Sequence, residues 1–168
     1  MIVYHEVNSD SLGAVLNSGL ICTSRGSKGN DRSIIAADHY LDERCPVYLK
    51  ERGMSRDNNV YAYVSSGDSI VDITNGDLIP LQEFISRSNQ SVLELSVDAS
   101  RCYVSDLDTY DAIMTALENH EDQYIIDQLA SSYWNKIIVL KNFSLGSIRR
   151  PEIMITYDVP PSMVRLVS

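Results

Sequence analysis

The sequence predicts one α+β domain over residues 1–168. Three observations lead there. Apolar and β-branched runs that read as strands open and close the chain, at 2–7 and at 152–157 with 163–167. Segments with apolar residues at three- and four-residue spacing, which read as helices, cluster between them. Neither an internal repeat nor the regular strand–helix alternation of a parallel sheet is present. At 168 residues the chain can bury a sizeable core.

Taken in order, the first strand is 2–7. Asn8-Ser9-Asp10-Ser11 supplies caps for a short helix through Asn17, with Leu12, Val15 and Leu16 on one face and Gly19 where it stops. A short strand at 20–22 leads into a cationic loop at 23–32. Its amides, with Arg25, Lys28 and Arg32 nearby, suit a phosphate, although the spacing is not GxxxxGK[ST]; the same composition suits a solvated loop.

A helix at 33–44 carries Ile34, Ile35, Ala37, Tyr40 and Leu41 on one side and is broken by Pro46. A polar connection at 47–59, with room for one helical turn, precedes a strand at 60–64. Further strands are expected at 69–73 and 92–97, with a turn at Asn75-Gly76-Asp77 and a short helix at 81–86. Ser105-Asp106 or Asp108 caps a helix through Asn119, and a second helix covers 121–133. Strands at 137–140, 152–157 and 163–167 complete the sheet, the last two joined by Asp158-Val159-Pro160-Pro161.

The net charge of −9 opposes broad, non-specific binding to phosphate backbones, although a local basic patch can still hold one nucleotide or a short single strand. Cys22, Cys45 and Cys102 are odd in number and lack CxxC spacing. They read as free thiols of a reducing compartment, without a disulfide framework or a metal site. The N-terminus does not read as a signal peptide, and no apolar run reaches membrane-spanning length, so a cytoplasmic protein without a membrane partner is expected.

Chemistry is suggested at a few positions. Glu152 opens a strand directly after Arg149-Arg150-Pro151, and a carboxylate at a strand mouth beside two guanidinium groups suits work on an anionic substrate. It equally suits an ordinary strand end. His5 is mid-strand on the face opposite Tyr4 and Glu6, and Tyr61 and Tyr63 share a face, as core residues or as an aromatic wall.

In their order along the chain these words resemble the ADP-ribosyltransferase superfamily. They are Tyr4-His5-Glu6-Val7, a helix ending in Gly19-Leu20, Leu41-Asp42-Glu43-Arg44, Asn59-Val60-Tyr61-Ala62-Tyr63-Val64, and Pro151-Glu152-Ile153-Met154-Ile155 followed by Val159-Pro160-Pro161. The chain is most similar to the His-Tyr-Glu branch that includes the DNA ADP-ribosyltransferase toxins (DarT).

The resemblance implies split, mixed or antiparallel sheets with flanking helices, and NAD as substrate without a metal. It implies Glu152 and Arg44 as catalytic residues and His5, Tyr61, Tyr63 and Arg25 as NAD-binding ones. Arg149 and Arg150 would face the acceptor, a protein or a single-stranded nucleic acid. Two departures stand out. Arg150, two residues before Glu152, replaces the acidic residue of the arginine-modifying branch, and His5-Glu6-Val7 replaces the His-Gly-Thr form common in the superfamily. The alternatives are a non-enzymatic acidic module acting through the helices at 107–133, and a relative that binds a nucleotide without turnover.

Overall fold

The computed structural model describes residues 1–22 and 31–167. Among these, ten strands form two antiparallel sheets and six α-helices pack around them in one α+β domain. The strands of the larger sheet are β1 (Ile2–Val7), β2 (Val60–Tyr63), β6 (Ser91–Ser96), β7 (Cys102–Asp106), β8 (Ile138–Val139), β9 (Pro151–Ile155) and β10 (Val164–Val167), ordered β10-β6-β1-β2-β9-β7-β8. The smaller sheet joins β3 (Ser65–Ser66), β4 (Ser69–Val71) and β5 (Leu78–Pro80). The helices are α1 (Ser9–Ser18), α2 (Arg32–Arg44), α3 (Val47–Lys50), α4 (Leu81–Arg87), α5 (Leu107–Glu118) and α6 (Gln123–Asn135).

Period-two alternation decides what each sheet face buries. On one face Val3, Val7, Val60, Ala62, Leu93, Leu95, Val104, Ile153 and Ile155 form a core with Leu12 and Val15 of α1 against it. The opposite face has two covers. At the β9–β7 end, Tyr103 and Met154 pack under Ala37 and Leu41 of α2, Ile113 of α5 and Ile126 and Trp134 of α6. At the β1–β6 end, Tyr4 and Val92 pack under Ile70 of the small sheet, with Tyr63 and Phe84 alongside.

Local chemistry explains the helix ends. Asp31, Asp106 and Asp122 each accept hydrogen bonds from backbone amides of α2, α5 and α6. After α1, Gly19 adopts φ +83°, and a side chain there would place Cβ 2.1 Å from the Val159 carbonyl oxygen. Only glycine meets both demands, which ties α1 to the turn before β10.

The elements differ from expectation at several points, among them β3 and β5, which were not expected. The strand expected at 20–22 reduces to a single bridge between Leu20 and Val159. Residues 102–106, which the sequence pattern left outside any strand, form β7 between β9 and β8. All five of its residues are buried, so it lacks the alternation that marks a half-exposed strand.

β1 and β2 meet at one registered pair, Tyr4 with Tyr63, whereas β1 and β6 pair over six consecutive positions. The sheet therefore opens between β1 and β2. The opening coincides with the seam between the two covers, since Tyr63 packs with one and Tyr61 with the other.

Candidate active site

A cavity of about 140 Å³ occupies this seam, lined by His5, Glu6, Tyr61, Ala62, Tyr63, Ile73, Gln90 and Glu152. Four sequence-designated residues thus converge on one cleft: His5, Tyr61, Tyr63 and Glu152. Tyr63 and Glu152 are direct cross-strand partners, as are Tyr61 and Met154. Period two then puts Tyr61, Tyr63 and Glu152 on one sheet face.

His5 belongs by period to the opposite face, yet the opened sheet lets its ring into the gap. Its Nδ1 lies 2.6 Å from the Tyr61 carbonyl oxygen. A carbonyl only accepts, so Nδ1 carries the proton and donates. Burial holds the imidazole pKa below its ordinary value, against the Tyr61 hydrogen bond and the nearby Glu6, which raise it. The ring is neutral at pH 7, and Nε2 is left as an acceptor for a ligand hydroxyl.

Two carboxylates line the cleft and differ in their partners. Glu6 is occupied at both oxygens: Tyr63 donates its hydroxyl to Oε2 at 2.5 Å and Ser88 donates to Oε1. Glu152 is held at one oxygen only, where Nη1 of Arg56 donates to Oε2 at 2.6 Å. No hydrogen bond among the described residues reaches its Oε1. With the side chain 16% exposed, Glu152 has one fixed oxygen and one available to the cleft.

Arg56 is the residue the sequence pattern passed over. It sits in the polar connection before β2, yet its side chain is 3% exposed. Its Nε donates to Asp38 Oδ1 at 3.1 Å and its Nη1 to the Tyr133 hydroxyl at 3.0 Å. The guanidinium lies 4.2 Å from the Tyr110 ring centre and 4.6 Å from that of Tyr61. Burial disfavours the cation, but Tyr133, Tyr61, Glu152 and Asp38 outweigh it and hold its pKa well above the usual value. Tyr61 donates its hydroxyl to the Arg56 carbonyl, and Tyr110 donates to Asp38 at 2.9 Å. Burial pushes the Tyr61 and Tyr110 phenols up, and Tyr133 to about 12, so all three remain neutral donors.

Asp42 on α2 sets the Arg56 backbone. One oxygen accepts from the Arg56 amide and the other from the Ser55 hydroxyl, each at 2.6 Å. A run of Ser-Arg-Asp-Asn reads as solvated, and no local period marks its arginine. Only the distant counter-charges Asp38 and Glu152 reveal it.

Arg44, two residues after Asp42, does not line the cleft. It pairs with Asp127 at 2.5 Å and lies over Tyr40, beside a separate pocket with Ser131 and Trp134. It follows Glu43 on the half-exposed last turn of α2, so it reaches α6 rather than the sheet. Arg44, expected as catalytic, is thus not among the residues brought to the cleft; the arginine bonded to Glu152 is Arg56. Arg25 lies outside the described residues.

Arg149 and Arg150 are on the rim. Arg149 binds Asp108 through Nε at 2.8 Å and through Nη2. Arg150 binds Asp111 at 2.5 Å and donates from Nε to the Ile73 carbonyl at 2.5 Å. The rim charges are thus compensated from α5. Ile73, pinned by Arg150, lines the cleft, so this arginine shapes the wall. Gly76 closes the turn behind it at φ +85°, where a Cβ would lie 2.3 Å from the Arg149 carbonyl oxygen.

Cys45 and Cys102 are buried, with thiols pushed up by burial to about 11, and the half-buried Cys22 is also raised; none lines the cleft. Among the described residues no group of three or more His, Cys, Asp or Glu side chains could hold a metal ion, and no helix is long and apolar enough to cross a membrane. No protein-family model matches the chain, and neither a curated protein nor a solved structure matches it.

Proposed function

We propose that the chain is an ADP-ribosyltransferase-like enzyme that takes NAD at the β1–β2 opening, releases nicotinamide and moves ADP-ribose to a macromolecular acceptor. The observation that carries this reading is the convergence of His5, Tyr61, Tyr63 and Glu152 on one cleft in which Glu152 has a free oxygen. A cavity of about 140 Å³ is smaller than the roughly 300–1,000 Å³ of whole-ligand pockets. It suits the nicotinamide end of the dinucleotide, with the ADP half outside.

The residues suit the reaction. Cleavage of the nicotinamide–ribose bond develops positive charge on the sugar, as in glycoside hydrolysis. Glu152 Oε1 faces that charge, while Arg56 fixes the carboxylate through Oε2. A preorganised carboxylate beside the sugar stabilises the charge that develops there in the transition state more than the uncharged sugar of bound NAD. Once nicotinamide has left, the same oxygen can take the acceptor's proton. His5 Nε2 accepts from a ribose hydroxyl. Arg56 occupies one face of the Tyr61 ring, which stiffens the aromatic wall against the cationic nicotinamide.

The first test is a titration with NAD followed by backbone amide NMR shifts. Shifts centred on His5, Tyr61, Tyr63 and Glu152, weakened at least tenfold by His5→Ala, are expected. Shifts that avoid the cleft would remove the basis of the reading.

A further inference from the structure

A second pocket lies on the same sheet face, at the other end of β9. Glu152 and Thr156 are four residues apart on this strand and in its immediate continuation, which separates them by about 13 Å. Met154 and the buried Arg56 cluster lie between. The pocket, of about 450 Å³, is lined by Arg52, Ser100, Arg101, Tyr103, Val139, Lys141 and Thr156.

Its charge sets it apart. Arg44, Arg56, Arg87, Lys136, Arg149, Arg150 and Arg165 all make ion pairs with carboxylates. Arg52, Arg101 and Lys141 make none among the described residues, yet all three face one concavity. Asp98 is an acid within electrostatic reach of Arg101 and Lys141. Its Oδ1 accepts from the Ser100 amide at 2.9 Å and hydroxyl at 2.7 Å. Those bonds, then Arg101 and Lys141, hold its pKa below the ordinary value, so it remains ionised and offsets part of the patch.

The walls are built rather than incidental. The Arg101 guanidinium lies 4.3 Å from the Tyr157 ring centre, and its carbonyl accepts from the Thr156 hydroxyl at 3.0 Å. The Lys141 amide donates to the Ala99 carbonyl at 3.1 Å. Gly53, at φ +81°, brings the turn that carries Arg52 against the Thr156 backbone. Three segments far apart in sequence thus bring cationic residues to the lining of one pocket, with Tyr103 and Val139 as its apolar wall.

We infer that this pocket binds the phosphate of a mononucleotide-sized anion. Three cations match a phosphate's acceptors and charge. The volume falls within the range of small-molecule sites, and the apolar wall accommodates the organic part. A polynucleotide fits less well, since its backbone would run off the patch onto a surface of a chain with net charge −9. The inference stands independently of the reaction assigned to the cleft.

The test is site-resolved NMR titration of the full chain with inorganic phosphate, AMP and a ten-residue oligothymidylate. AMP is expected to shift the amides of Ser100, Arg101, Lys141 and Thr156, to bind at least threefold tighter than phosphate, and to weaken with added salt. The exposed double variant Arg101→Glu, Lys141→Glu should bind AMP at least tenfold more weakly, while Glu152→Gln leaves these shifts unchanged. Shifts confined to the cleft, equal binding by the double variant, or AMP no tighter than phosphate would each overturn the inference. Oligothymidylate binding tenfold tighter than AMP would replace the mononucleotide by a strand.

Discussion

Arg56 and Glu152, ninety-six residues apart in the chain, are joined by a 2.6 Å hydrogen bond. This bond fixes one oxygen of the cleft carboxylate. Because Arg56 also binds Asp38, one guanidinium faces two carboxylates in a water-poor setting.

Arg56→Gln leaves those acids without their shared cation. Losing one partner of a buried pair costs about 3–5 kcal/mol. Urea denaturation at pH 7 should show a loss of that order, with a much smaller loss for the exposed Arg165→Gln. A loss below about 1 kcal/mol for Arg56→Gln would mean that the cluster is dispensable to the fold.

His5 makes folding sensitive to mild acid. Its folded pKa is lowered from the ordinary 6.5 by burial. The unfolded state therefore binds the proton first. The contribution to stability is fully present above about pH 6.5 and is lost as the pH falls toward the folded pKa. The urea midpoint should fall more between pH 7.5 and 5.5 for the wild type than for His5→Gln. Parallel falls would show that another group titrates.

Gly76→Ala forces a Cβ against the Arg149 carbonyl in a left-handed conformation. A destabilisation of about 1–3 kcal/mol is expected. Because Arg150 pins Ile73 at the cleft, NAD affinity should fall too. Unchanged thermal stability and affinity would show that this turn does not shape the site.

The thiols should be inert. With Cys45 and Cys102 pushed up by burial to about 11, the nucleophilic thiolate is scarce at pH 7. Iodoacetamide should label the native chain at least tenfold more slowly than the urea-unfolded chain. Equal rates would contradict the burial of these side chains.

Periodic elements were legible in the sequence. The amphipathic helices α2, α5 and α6 and the alternating strands β1, β2 and β6 announce themselves through spacing and capping residues. β7 did not, because a strand buried on both faces has no alternation to read. At the candidate site, Glu152 and His5 were legible as polar residues placed on strands, and both line the cleft. Arg56 was not, because its meaning depends on Asp38 and Glu152, which only the tertiary fold brings to it. Arg44 sits in a more suggestive local pattern, yet Asp127 satisfies it on the surface.

The proposed role of Glu152 is chemistry on NAD at the β1–β2 opening. Its most direct test is nicotinamide release under single-turnover conditions, wild type beside Glu152→Gln, with NAD affinity measured on both. Glutamine keeps the acceptor for Arg56 and removes the charge. Release by the wild type, at least a hundredfold slower release by Glu152→Gln, and affinities within about threefold are expected. Equal release rates, or the absence of NAD binding by the wild type, would contradict it.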